Sequence, residues 1–147
     1  MGHGDQKVSA AEAGPHAALT WSVIQAGIEV QKRLGPWLLE SAYEACLAYE
    51  LERSGHTVER QVPVPIRYRD LVIPNAFRID LLIDGILVVE LKVAEAITPE
   101  HEAQVLSYLR FAERPVGLLM NFALQPLAKR GIRRFLLTPP STSASSV

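Results

Sequence analysis

Apolar residues Val23, Ile24, Ile28 and Leu34 recur at helical spacing, with Thr20 placed as an N-cap and Gly35-Pro36 as a stop, and predict a first helix. A second helix is expected from about Leu38 to Ser54. Leu39, Tyr43, Cys46, Leu47 and Leu51 would share one face of it, and Gly55 would end it. The stretch HTVERQVPVPIRYRD (56–70) reads as extended, and its prolines at 63 and 65 suit an edge strand. Two further strands fall in AFRIDLLIDGILVVELK (76–92). Thr98-Pro99-Glu100 opens a third helix, running to about Glu113, with threonine as N-cap and proline at the first position. PVGLLMNF then reads as a buried strand and GIRRFLL as a last one. This order predicts an α/β fold with a mixed sheet of about four to five strands flanked by helices. Residues 1–19 and 139–147 have the composition of flexible tails around a single domain at 20–138.

The stretch 76–92 is the most apolar in the chain, yet it carries two acids and a lysine. Strand side chains alternate faces. Odd positions 77 to 93 are apolar apart from Gly85, so one face is hydrophobic; Arg78, Asp80, Glu90 and Lys92 fall on the even face. For the even faces of both strands to coincide, paired residue numbers must have an even sum. A two-residue turn at Asp84-Gly85 gives an odd sum. A loop of odd length with Gly85 at positive φ keeps the parity and is the expectation here. Asp80, Glu90 and Lys92 then converge as two carboxylates and an ammonium. The repulsion between the acids calls for a hard divalent cation, and the lysine suits an anionic transition state. A solvated Glu90–Lys92 ion pair is the plainer alternative.

Composition narrows the field without choosing within it. The chain has 147 residues, 48% hydrophobic and 21% charged, and no long uncharged apolar run, so no membrane partner is expected. One cysteine, Cys46, fits a reducing, cytoplasmic setting. A net charge of −1 argues against coating nucleic acid by bulk electrostatics but not against gripping one phosphodiester locally. Basic residues cluster at 67 and 69 and again at 129, 130, 133 and 134; solvated surface is the commoner meaning of such clusters.

RID…VVELK resembles the signature of the PD-(D/E)xK nuclease superfamily, with Asp80 as the first acid and Glu90-Leu91-Lys92 as (D/E)xK. More narrowly, LGPWLLESAYEACLAYEL, VERQVPVPIRY, ITPEHEAQVLSYLR and VGLLMNF are similar to its small bacterial GxxExxY family, over roughly 20–137. The family's Glu and Tyr are present as Glu40 and Tyr43, whereas its glycine is Trp37, and a histidine common in relatives is Gln31. The resemblance implies a restriction-endonuclease-like core and hydrolysis of DNA or RNA. It implies Mg²⁺ or Mn²⁺ on Asp80, Glu90, the Leu91 carbonyl and the helical acid Glu40. Lys92 would position the attacking water. Gln104 and Tyr108 are similar to a Q-x-x-x-Y motif of RecB-like exonuclease domains. Plainer readings stand beside these: Glu40 as a solvated first-turn acid, Tyr108 as a core aromatic, and Arg78 as an ion-pair partner instead of a phosphate contact. His101 reads as an ordinary surface residue, and His56 carries no motif. A non-catalytic interaction module on the same fold is the alternative to an enzyme, and a homodimer is one way a chain this small could embrace a duplex.

Overall fold

The computed structural model describes residues 14–137, so 1–13 and 139–147 of the expected tails lie outside the described residues. Its elements are α1 (Ala17–Leu34), α2 (Glu40–Arg53), β1 (Val58–Tyr68), β2 (Leu71–Ile83), β3 (Leu87–Lys92), α3 (Pro99–Ala112), β4 (Val116–Asn121), α4 (Leu127–Arg130) and β5 (Ile132–Leu136). The five strands form one mixed sheet in the order β1-β2-β3-β4-β5, in which only β3 and β4 are parallel. β1 is an edge strand, as its prolines suggested. A bulge between Val64 and Ile66 leaves Pro65 outside the ladder, where its missing N–H costs nothing.

Helices cover both sides of the sheet. On one, Val23 and Val30 of α1 and Tyr43, Leu47 and Leu51 of α2 pack with Leu81, Ile83, Val89 and Met120. On the other, Tyr108 and Leu109 of α3 pack with Val64, Ile79, Leu82 and Val88. β4, between two neighbours and under both layers, is buried at every position, which is why VGLLMN carries no polar alternation. α1 crosses the sheet closely at Gly27, where a Cβ would lie 2.3 Å from Met120 Cε and 3.0 Å from Leu127 Cδ2.

Several expectations need correction. α1 starts at Ala17, inside the segment read as tail, and its N-cap is His16; Thr20 lies within the helix and donates its hydroxyl to the His16 carbonyl. α2 starts at Glu40, two residues late, with Leu39 at the cap providing no side-chain bond. The short α4 was not anticipated. The odd residues of β2 do not share one face: Phe77 and Ile79 pack under α3, whereas Leu81 and Ile83 pack under α1 and α2. The alternation breaks at Asp80, and Gln61, between the pairs Arg60↔Leu81 and Val62↔Ile79, has a φ of 51°. A left-handed residue inside a strand re-aims the side chains on either side of it.

Three polar clips hold the layers in register. The Gln31 amide, buried on α1, donates to the carbonyls of Phe122 (3.0 Å) and Leu124 (2.8 Å), and its oxygen accepts from Leu127 N (2.9 Å). Tyr43 stacks on Phe122 and accepts from Leu38 N while donating to the Gly35 carbonyl, which pins the α1–α2 connection. His56 lies between Ser22 Oγ (2.9 Å) and Asp84 Oδ2 (2.8 Å), and Asp84 also accepts from Thr57 N. This serine–histidine–aspartate chain is not a nucleophile site. Ser22 sits inside α1, where neighbouring N–H groups are engaged in helix bonds and cannot form an oxyanion hole.

Gln31→Leu removes all three bonds at one clip and strands buried backbone groups, so a lowered urea midpoint equivalent to about 3 kcal/mol is expected. Trp37, exposed and held at φ 66°, occupies a conformation that glycine adopts freely. Trp37→Gly is expected to stabilise the fold by roughly 0.5–1 kcal/mol in the same measurement.

Candidate active site

The site forms where the sheet splits. β2 and β3 pair through Ile83↔Leu87, Leu82↔Val88 and Leu81↔Val89 only, around a loop with Asp84 at φ 54° and Gly85 at φ 66°. The even sum and the odd loop are those that parity demanded. Beyond Leu81 and Val89, β2 continues with β1 while β3 continues with β4. Asp80 and Glu90 are the first residues past the last shared rung, one on each prong of the fork. The departing strand leaves the Leu91 N–H without a carbonyl, and Asp80 Oδ2 accepts it at 2.8 Å.

Glu90 is 4% exposed. Its Oε1 lies 3.5 Å from Lys92 Nζ, and its Oε2 is buried with no hydrogen-bond partner. Burial, then repulsion from Asp80, pushes the Glu90 carboxyl up to about 8, with Lys92 opposing. Asp80 is also raised, chiefly by burial and against the pull of the Leu91 N–H, with Glu44 adding repulsion. Glu40, exposed in the first turn of α2, is raised by partial burial of its carboxyl; Lys92 opposes this, and Asp80 and Glu44 add to it. Glu40 therefore stands within electrostatic reach of the fork. The acids at 80 and 90 and the ammonium at 92 interact at one place.

A family model of the PD-(D/E)XK nuclease superfamily matches residues 17–135. The chain belongs to this superfamily. No curated protein and no solved structure matches it. PD-(D/E)XK nucleases generally use divalent metals and act on nucleic acid. The donor set here fits such an ion in one specific respect: an uncompensated, buried carboxylate oxygen on Glu90, beside a second acid, is a group that a cation would satisfy. Among the described residues, no three His, Cys, Asp or Glu side chains gather closely enough to hold a metal by themselves. Asp80 and Glu90 with the Leu91 carbonyl would have to be completed by water, through which Glu40 could act.

Two groups were given no role in the reading of the sequence. Glu44, one turn after Glu40, is buried, accepts from Arg60 at 2.9 Å and takes the Gln61 amide, which also reaches Asp80 Oδ1 at 3.3 Å. The i, i+4 spacing from Glu40 was the available signal. Asn121, fully buried opposite Lys92, bonds both the N–H and the carbonyl of Ala94 and so fixes the chain leaving the lysine. Gln104 donates to the Tyr108 hydroxyl at 2.7 Å, and burial, then the charge of Glu90, pushes Tyr108 up to about 12. Tyr108 is thus both a core aromatic and a neighbour of the acids. Arg78 is exposed, opposite Pro63; among the described residues it forms no ion pair or hydrogen bond with the acids. His101 is a helix cap instead of a plain surface residue: its Nδ1 accepts from Thr98 N while Thr98 Oγ1 accepts from His101 N.

Glu90 gives the metal-free fold a pH dependence. Its folded value of about 8 exceeds the unfolded value of 4.5, so between these the folded state holds a proton that the unfolded state releases. Stability is therefore expected to fall as pH rises through that window, and Glu90→Gln to flatten the slope. Urea midpoints in chelator at about pH 5 and about pH 8 check this.

Proposed function

We propose that this chain is a divalent-metal-dependent phosphodiesterase that hydrolyses DNA or RNA by water attack. The observation that carries the reading is the buried, unpartnered Glu90 Oε2 beside Asp80, with the Lys92 ammonium 3.5 Å from the same carboxylate. Mg²⁺ or Mn²⁺ bound there would supply Lewis-acid polarisation of the phosphoryl group and a more acidic water. Asp80 and Glu90 would hold the ion, whose charge would offset the repulsion between them. Lys92 donates to the attacking water or to a phosphoryl oxygen, where charge accumulates in the transition state. Glu40 orients water from the α2 side, and Gln104 and Tyr108 line the acids from the α3 side.

The finer assignments belong to the same proposal. Membership in the GxxExxY group is supported by Glu40 and Tyr43 and by the left-handed backbone at 37, where that group's glycine would sit and Trp37 does. Gln31 has a structural task in the position where relatives carry histidine. Arg78 contacts phosphate only in a nucleic-acid complex. Cys46, half-buried, fits a cytoplasmic setting, and no described helix is long and apolar enough to cross a membrane. A homodimer would supply the second arm needed to embrace a duplex. The rival reading, a non-catalytic interaction module, draws on the lack of a three-side-chain metal cluster among the described residues.

Calorimetric titration with Mn²⁺ is expected to give binding that Asp80→Ala abolishes; unchanged binding removes the fork as the metal site. On single- and double-stranded DNA and RNA, Lys92→Ala is expected to lower the cleavage rate roughly 10²–10³-fold with Mn²⁺ binding retained. Metal binding with equal, trace cleavage by both proteins would favour the module.

A further inference from the structure

A cavity of about 450 Å³ opens between edge strand β1 and the last turn of α3. This volume is in the range of pockets that hold small organic molecules, ~300–1,000 Å³. Its floor is apolar, from Val62, Val64, Ile79 and Leu82, and Phe111 forms one wall. Around it stand three guanidinium groups, Arg67, Arg110 and Arg114, against a single carboxylate, Glu113. Among the described residues, no carboxylate pairs with any of the three arginines. Arg114 Nε is buried without a hydrogen-bond partner, so at that atom the guanidinium is not committed to an acceptor of the protein.

The C-terminus of α3 also points here, with a negative end worth about half a charge. It does not cancel the arginines: the Leu109 carbonyl already accepts from the N–H groups of Glu113 and Arg114, and the side-chain balance is two positive charges in a chain whose net charge is −1. Arg110 lies over the Phe111 ring at 4.5 Å, so the wall offers a flat cation–aromatic surface beside the unpaired donors.

The groove and the fork share neighbours. Ile79, in its floor, precedes Asp80 in the chain. Phe77 touches Tyr108 (centroids 5.4 Å) and Phe111 (5.6 Å), joining the aromatic beside the acids to the groove wall. We infer that this groove is a nucleotide subsite, in which Arg114 and Arg110 take a phosphate while Phe111 and the apolar floor take the base or sugar. Its position as an extension of the fork rests on the phosphodiesterase reading; its chemistry, a phosphate on a flat apolar group, does not. The nucleotide comes either from a single strand lying across the acids or from a free monophosphate.

The test is binding in chelator, where no metal chemistry intervenes. A fluorescent hexathymidylate is titrated at several salt concentrations, with thymidine 5′-monophosphate and thymidine as competitors. The inference expects Arg114→Gln with Arg110→Ala to weaken the oligonucleotide at least tenfold and to reduce the salt slope by about 0.7 for each phosphate no longer neutralised. It also expects the monophosphate, and not thymidine, to displace the probe. The exposed Arg67→Glu, on the rim, should weaken binding in the same direction without touching a buried group. Because binding is read in chelator, without the metal, failure of the groove and failure of the metal site are separable. Displacement by the monophosphate at concentrations well below its equivalent in oligonucleotide phosphate assigns the free nucleotide; the reverse assigns the strand. Unchanged affinity in both arginine variants, or equal competition by thymidine, overturns the subsite.

Discussion

The hydrogen bond from the Leu91 amide to the Asp80 carboxylate holds the two prongs of the sheet together at the point where they part. A backbone donor abandoned by its neighbouring strand needs an acceptor, because leaving it unpaired in a desolvated place costs about 1–3 kcal/mol. A carboxylate meets that need and brings a negative charge with it. The second acid, on the adjacent residue of β3, is thereby forced to share a dry site with the first. The chemistry of the fork follows from this constraint: the elevated Glu90 proton affinity, the nearby ammonium, and an oxygen with nothing to bond.

Around the fork, neutral side chains carry much of the positioning. Gln61 spans Glu44 and Asp80, two acids that would otherwise repel across the α2 side. Asn121 takes both backbone groups of Ala94 and fixes the direction in which the chain leaves Lys92. Amides suit such places because each has donors and an acceptor and no charge to desolvate. Both faces of the sheet turn polar toward the fork, through Glu44 and Gln61 on the α2 side and through Tyr108 and Gln104 on the α3 side.

Element types and their order were legible because they depend on local pattern: helical spacing in α1 and α2, the Thr98-Pro99 start of α3, and prolines marking β1 as an edge. The register of β2 and β3 was legible because strand parity is arithmetic, and the loop at Asp84-Gly85 obeyed it; the break in alternation at Asp80 was not part of that arithmetic. The left-handed Gln61 was not legible, since nothing in its identity announces a positive φ, and neither was the change of facing between Ile79 and Leu81 on the strand beside it. Gln31 and Asn121 were hidden for another reason. Each joins segments far apart in the chain, Gln31 to the residues after β4 and Asn121 to the residues after β3, and no local period encodes such a partner. The start of α1 was misplaced because its cap, His16, makes no side-chain bond, so the expected threonine signal marked an interior residue.

The two prolines of β1 bear on how this protein behaves when crowded. An outermost strand of eleven residues, paired on one side only, offers its open side as a template on which another chain can grow. The imino groups at 63 and 65 interrupt the row of donors along this stretch, and the kink beside Pro65 spoils the flatness that stacking needs. Replacing both by ordinary β-formers would leave the native sheet nearly unchanged and convert a guarded rim into a seed for fibrils.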